Sequence, residues 1–420
     1  MSPKVRLVVV LSVVYIDMLG IGLAFPVLPR LIEQFEGGDI SLASYIYGGL
    51  AAAYSAMQFL CAPLIGALSD RYGRRPVILL ALVGMGVNYF LLAFAPSLWL
   101  FALGRMIAGA FGATFTAAGA YLADTTPPEK RAQSFGLIGA AFGFGFITGP
   151  ALGGVLGGVD LRLPFLVAGC LSLADFAFAF FALPESLAPE NRKPLNLKYA
   201  NPVGALREVG RYSSVLGLMA IFVLATFANR VAEMTWVLFT SYRFHWGPTE
   251  TGWSLAAVGV MFVVGQGGLV RVVVPKIGER RAILLGLTVS AITVTLYGIV
   301  PRGWMVFPVM VLAVFGWTIA QPAVQALMSR SVPANEQGLL QGALSSMMNL
   351  TSIAGPPIWT GLFAFFVSEA APIVVPGAAF FGAAVVFVIA LMLARRWFAA
   401  APATVANDRS RPAPAPAPGE

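Results

Sequence analysis

Apolar residues in this chain run in blocks of about twenty, neither alternating every second position nor confined to one helical stripe. As a helix, a block of that length crosses ~30 Å of hydrocarbon. Twelve can be read, near residues 5–29, 43–67, 76–94, 97–124, 133–157, 164–183, 213–240, 250–270, 281–300, 304–328, 338–364 and 375–394. Backbone in lipid must satisfy its own hydrogen bonds, so the pattern predicts an all-α integral membrane protein of twelve transmembrane helices. The first block follows "MSPKVRLVVV" and runs to Pro29 with no small-residue cleavage site, which reads as a retained span rather than a signal peptide.

The polar interruptions divide the blocks into two sets of six. The longest, residues 184–212, is proline-bearing and separates an N-terminal bundle (1–183) from a C-terminal bundle (213–398), and a Pro/Ala-rich stretch at 399–420 reads as a disordered tail. The halves echo each other at a shift near 205. "GRRPVILL" begins at Gly73 and "GERRAILL" at Gly278; Pro96 and Trp99 return as Pro301 and Trp304; Gly149-Pro150 returns as Gly355-Pro356. Two six-helix pseudo-repeats in parallel suggest a transporter that rocks about a central site.

Composition supports a bilayer location: 58% of residues are hydrophobic and 11% charged, with a mean hydropathy of +0.81. The net charge of +8 does not point to nucleic acid, because of where the charge sits. With the N-terminus inside, cytoplasmic segments hold 21 of the 27 Lys and Arg residues, so both termini are expected in the cytoplasm of a bacterial inner membrane. Cys61 and Cys170 lie inside spans and suit neither a disulfide nor a metal site.

Charges inside the blocks then stand out. Asp17 is near the middle of the first, where a charged side chain costs roughly 2.5–3.5 kcal/mol. A carboxylate there is costly unless protonated, which suits a proton-coupling group; a hydrogen-bonded structural Asp is the alternative. "GALSDRYGRRPVILL" (66–80) concentrates Gly66, Asp70, Arg71, Gly73, Arg74 and Arg75 between spans two and three. Gly66 permits close helix approach, Gly73 a tight turn, and Asp70 an ion pair or helix cap, together a latch; simple retention of positive charge on the inner side is the other reading. In span five, Gly145, Gly149, Gly153 and Gly154 with Pro150 form a small-residue face with a missing backbone donor, either a hinge or a tightly packed helix. Asp124, at the end of span four, is a solvated acid or a partner for the latch.

These strings resemble the major facilitator superfamily, whose loop signature reads G-x-L-S-D-R-x-G-R-R-P. The resemblance covers nearly the whole chain and is strongest to the tetracycline/proton antiporters. "DMLGIGLAFPVLP" (17–29), "GRMIAGAFGATFTAAGAYLAD" (104–124), "GFGFITGPALGGVLGG" (143–158), "RFHWGPTETGWSLAAVG" (243–259), "RGWMVFPVMVL" (302–312) and "TSIAGP" (351–356) carry it. It implies the major facilitator fold and proton-coupled drug export by alternating access. It also implies a latch of Asp70, Arg74 and Asp124 that holds the cytoplasmic side closed, span five as the helix that sets export, and Arg105 turned inward to tune a nearby acid.

At positions matching two further membrane acids of those carriers, this chain has Asn88 and Ser290, neither of which titrates. It carries instead Asp175 in span six and an Arg230/Glu233 pair one turn apart in span seven. Substrate-contact candidates are the polar or aromatic positions within spans: Gln58, Asn88, Phe115, Asp175, Arg230, Glu233, Trp236, Gln266, Gln321 and Asn349. His245 reads as a surface residue. No P-loop, nucleophile–base pair or His/Cys cluster appears, so an enzyme is not expected. Transport is expected to draw on the proton gradient without a cofactor, apart from a divalent cation that the substrate itself chelates. The expected partners are an amphipathic small molecule, protons and lipid, with no nucleic acid, and the carrier is expected to act as a monomer. An exporter of an endogenous metabolite, or an importer of the same fold, is the alternative.

Overall fold

The computed structural model describes residues 3–112, 114–192, 213–333 and 336–400. Most of the linker and the tail, 401–420, lie outside the described residues. Among the described residues eleven helical spans are long and apolar enough to cross a membrane. The twelfth span is present but interrupted: Pro248–Val264 passes through a π-helical turn, Gly265–Leu269, into Val270–Ile277. The glycine-rich "GQGG" at the break explains the lost α register, since glycine is the weakest holder of a helix after proline.

Two further spans depart from the apolar blocks. The first block is one helix only to Ala24; after a turn containing Pro26, a short helix Leu28–Phe35 follows, with Pro29 in its first turn. Span four is Leu98–Phe111 followed by Thr114–Thr125, parted at Gly112. The other spans are Ile40–Tyr72 (two), Arg74–Phe94 (three), Pro128–Val159 (five), Leu163–Ala182 (six), Ser213–Phe244 (seven), Glu279–Ile299 (nine), Val306–Arg330 (ten), Gln337–Val367 (eleven) and Ala378–Ala400 (twelve).

Packing repeats the sequence symmetry. In the first half, span one packs on five and six, three on six and four, and two on four; in the second, seven packs on eleven and twelve, nine on twelve and ten, and eight on ten. Gly73 and Gly278, 205 positions apart, both precede a helix with positive φ, 108° and 79°. A side chain is strained in that region, which is why the turn keeps glycine in both repeats. An ion pair also recurs, with its polarity reversed. Arg74, at the start of span three, pairs with Asp124 at the end of span four (3.1 Å), and Glu279, at the start of span nine, pairs with Arg330 at the end of span ten (2.9 Å).

The halves meet along two seams that the same symmetry exchanges, span two on eleven and span five on eight. Both seams lie at the end of the bundle away from the two termini. In the first, Ser41 donates to the Ala364 carbonyl (2.9 Å), and Gly48 sits so close to span eleven that an added Cβ would lie 3.1 Å from the Pro356 carbonyl oxygen. In the second, Thr249 donates to the Gly154 carbonyl (3.2 Å), and a Cβ on Gly154 would lie 2.8 Å from the Gly252 Cα. Beyond the first span, Arg30 donates to the Trp246 carbonyl, in a turn where His245 adopts a left-handed φ of 54°. Towards the termini Phe135, Leu137 and Phe142 of span five are 44%, 39% and 41% exposed, and no described neighbour comes within 4 Å of a Cβ built on Gly66 of span two or Gly338 of span eleven.

Gly252→Leu is therefore expected to force the seam open and to cost about 1–3 kcal/mol of overpacking strain. Gly143→Ala, whose nearest neighbour atom would be 3.5 Å away, is expected to be tolerated. Thermal unfolding of the two purified variants in detergent checks both expectations: the first should melt several degrees early, and the second close to the parent.

Candidate functional site

Below the span five–eight seam lies a cavity of about 700 Å³. Its walls come from spans five, seven, eight, nine and ten, with Phe25 and Phe387 at the margins. Most of the lining is aromatic or aliphatic: Phe142, Phe144, Phe146, Phe262, Trp317 and Tyr297 alternate with valine, alanine and glycine. Polar groups are few, namely Asn229, Gln266, Ser290 and Thr293, and among the described residues Glu233 is the one charged side chain on the wall. An apolar hollow with a few placed polar groups is the usual form of a small-molecule site.

Local packing fixes these groups. Trp236 is held by a hydrogen bond from its Nε1 to Ser254 Oγ (2.9 Å) and by an edge contact with Tyr297, centroids 5.3 Å apart. Glu233 accepts from Arg230 Nη1 at 2.5 Å, one turn back on span seven, while Arg230 Nη2 donates to Ser352 Oγ on span eleven (2.7 Å). Arg230 thus ties span seven to span eleven and steadies the carboxylate without itself lining the cavity.

Of the ten substrate-contact candidates, Glu233, Trp236 and Gln266 line this cavity. Gln321 lies instead beside a small void inside the second half. Gln58 donates to the Gly112 carbonyl (3.1 Å) and so bridges the break in span four, Asn349 is half-buried on span eleven, and the Phe115 side chain lies outside the described ones. Asn88 and Asp175 are buried in the first half, away from the cavity. Asn229, Phe146, Tyr297 and Thr293 line it without having stood out in the sequence; Asn229 was legible as a polar residue one turn before Glu233.

A second polar group centres on Asp17, buried at 9% exposure on span one. Tyr89 of span three reaches over Gly20, one turn further along, closely enough that a Cβ there would meet its hydroxyl at 2.5 Å. Asp175 of span six lies within electrostatic reach of Asp17; one of its oxygens accepts from Ser12 Oγ (2.8 Å) and the other has no partner among the described residues. Arg105 lies over the Tyr54 ring, 4.6 Å from its centroid.

The loop signature builds a third cluster at the termini end. Arg74 takes Asp70 (2.6 Å), Asp124 (3.1 Å) and Ser69 (3.1 Å). Glu185, just after span six, accepts from the backbone N–H of Arg74 (2.8 Å) and Arg75 (3.3 Å), and its carboxylate faces Gly73, where a Cβ would collide with it. A carboxylate at these exposed donors caps span three and opposes its dipole. Arg75 donates to the Phe180 carbonyl (2.7 Å) and Arg71 stacks on Tyr72; Gly66 is not the site of close helix approach expected of it, since no atom of the described residues comes within 4 Å of its Cβ position. All these bonds stay within the first half.

Span five shows why its glycines are spaced as they are. Gly145, Gly149 and Gly153 face the backbone of span one at Tyr15, Gly22 and Leu23, and Gly154 faces span eight. Pro150 sits inside the helix between the two packing faces.

Comparison with known proteins gives a consistent family. The family model described as Major Facilitator Superfamily matches residues 10–356, and again 218–419. The class C tetracycline resistance protein of Escherichia coli is 42% identical over 87% of this chain and 91% of its own, and the class G protein of Vibrio anguillarum is 38% identical over 85% and 90%. Among solved structures, the human organic anion transporter MFSD10 superposes with a TM-score of 0.66 at 26% identity, covering 94% of this chain and all of that one. A bacterial homolog of the human lysosomal transporter Spinster gives 0.76 at 16% identity, covering 94% and 97%.

Glu185→Ala should remove the span-three cap and cost about 1 kcal/mol, lowering the melting temperature without altering cavity binding. Thermal melts beside an equilibrium binding assay on the same protein check both halves of that expectation.

Proposed function

The chain belongs to the major facilitator superfamily, a family of carriers and not of enzymes, and on that premise we propose that it exports amphipathic drugs across the bacterial inner membrane in exchange for protons. The observation that carries this reading is the pairing of a largely apolar cavity between the halves with a buried acid, Asp17, outside it. Tetracycline-like compounds enter as candidate substrates through the names of the resistance relatives.

The distribution of basic residues supports an orientation with both termini in the cytoplasm. In that orientation the two seams close the outer end and the cavity faces inward, ready to load a drug. The N- and C-terminal six-helix bundles, 1–183 and 213–398, then rock about these seams. In that motion span five slides against span eight through its glycines, while its packing on span one keeps the first bundle rigid.

Protons enter the cycle at Asp17. Its charged form is expensive in a site without water, so the group carries a proton while buried and sheds it when the cavity wets. Arg105, over Tyr54, is the intramembrane cation of the same bundle and disfavours a second buried positive charge there. Exchange follows if loss of the proton and arrival of the drug favour opposite orientations. The Asp70–Arg74–Asp124 cluster stiffens the cytoplasmic rim of the first bundle and is released to engage the second when that side closes.

Asp17→Asn should abolish uphill drug export driven by a pH gradient while leaving downhill exchange in proteoliposomes within a few-fold of the parent. Uphill export by this variant at the parent rate would remove Asp17 from the proton path.

A further inference from the structure

We infer that the cavity selects organic cations, with the carboxylate of Glu233 as the anionic contact for the positive group and the aromatic walls as the seat for its apolar body. The inference rests on the reading of the cavity as the drug site and adds the sign of the charge it takes. Among the described residues no cationic side chain lines the wall, and the lining carries one carboxylate, 43% exposed. In a low-dielectric hollow a single fixed charge outweighs scattered dipoles, because pairwise energies scale inversely with the dielectric. An anion would meet that carboxylate first, because the Arg230 guanidinium paired with its Oε2 lies outside the lining; an organic cation meets it with aromatic faces alongside, which attract positive charge in their own right.

The Arg230 pair does not cancel this selectivity. Arg230 pairs with Oε2 of Glu233, is itself anchored on Ser352, and is not among the lining residues. It fixes the direction in which the carboxylate points, and the bond it makes occupies Oε2 alone. Asn229, one turn before Glu233, lines the same wall and marks where a displaced carboxylate would still face the same space.

The test uses two probes of nearly equal size and opposite sign, tetraphenylphosphonium and tetraphenylborate, titrated into the full-length protein in detergent. The parent should bind the cation at least about tenfold more tightly than the anion, the scale of one charge-assisted contact. Glu233→Gln should lose that preference, and Asn229→Asp/Glu233→Gln should restore most of it. Should the single variant fold poorly in size-exclusion chromatography, Arg230→Gln/Glu233→Gln removes both charges and must likewise show no preference. Equal binding of the two ions by the parent overturns the inference, as does an unchanged preference in Glu233→Gln or in Arg230→Gln/Glu233→Gln. Either result leaves proton-driven export standing if Asp17 variants still fail uphill. Conversely, a cation preference in a protein that exports nothing uphill would sink the export reading and keep this one.

Discussion

Backbone against backbone at Gly154 and Gly252, and at Gly48 and Pro356, is the contact on which the rest of the molecule depends. Lipid tails are as apolar as leucine, so helices in a membrane gain little by hiding hydrophobic side chains from them and rely on close packing. Small residues concentrate that packing at one end of both seams. The halves are thereby joined tightly at that end, and the cavity lies between them below the seam of spans five and eight. Because the repeat exchanges one seam for the other, a tilt that opens one opens both.

Charge is arranged around that geometry in three places with different costs. At the termini end, ion pairs are accessible to water and shape helix ends: Arg74 with Asp70 and Asp124, and Glu279 with Arg330. Such pairs contribute little stability individually, and their value lies in orientation. At Arg230 and Glu233 the pair spans half-buried ground, and its partner on span eleven gives it a structural role as well as a polar face on the cavity. At Asp17 no ion pair is formed among the described residues, and the buried acid sits one turn from the Gly20 that Tyr89 covers, with Arg105 placed over the Tyr54 ring.

The helical class and most spans were legible because the bilayer imposes one length and one polarity on each. Gly73 and Gly278 were legible as a pair because both turns need positive φ and only glycine supplies it without strain. What composition hid was local. Pro26 and Pro29 turn the first block into a helix, a turn and a short second helix, and "GQGG" breaks span eight, although hydropathy runs unbroken through both. Glu185 looked like linker and proved to be the cap of span three, a role set by a neighbour more than a hundred residues away in sequence. Of the polar residues within spans, apolar context marked all of them equally, but only helix rotation decides which face the cavity; Glu233 and Gln266 do, and Asp175 and Asn88 turn into the first half.

The central claim is that the two halves rock about their glycine seams. Pulsed electron resonance between spin labels tests it directly, with Cys61 and Cys170 replaced and one label pair placed at each end of spans two and eleven. Leu64 with Ser345 reports the termini end and Leu42 with Glu369 the seam end, all four being exposed. Acidification or added drug should shift the two distances in opposite senses, the first shortening as the second lengthens. Two distances that lengthen together, or neither changing while transport proceeds, would contradict rocking about the seams.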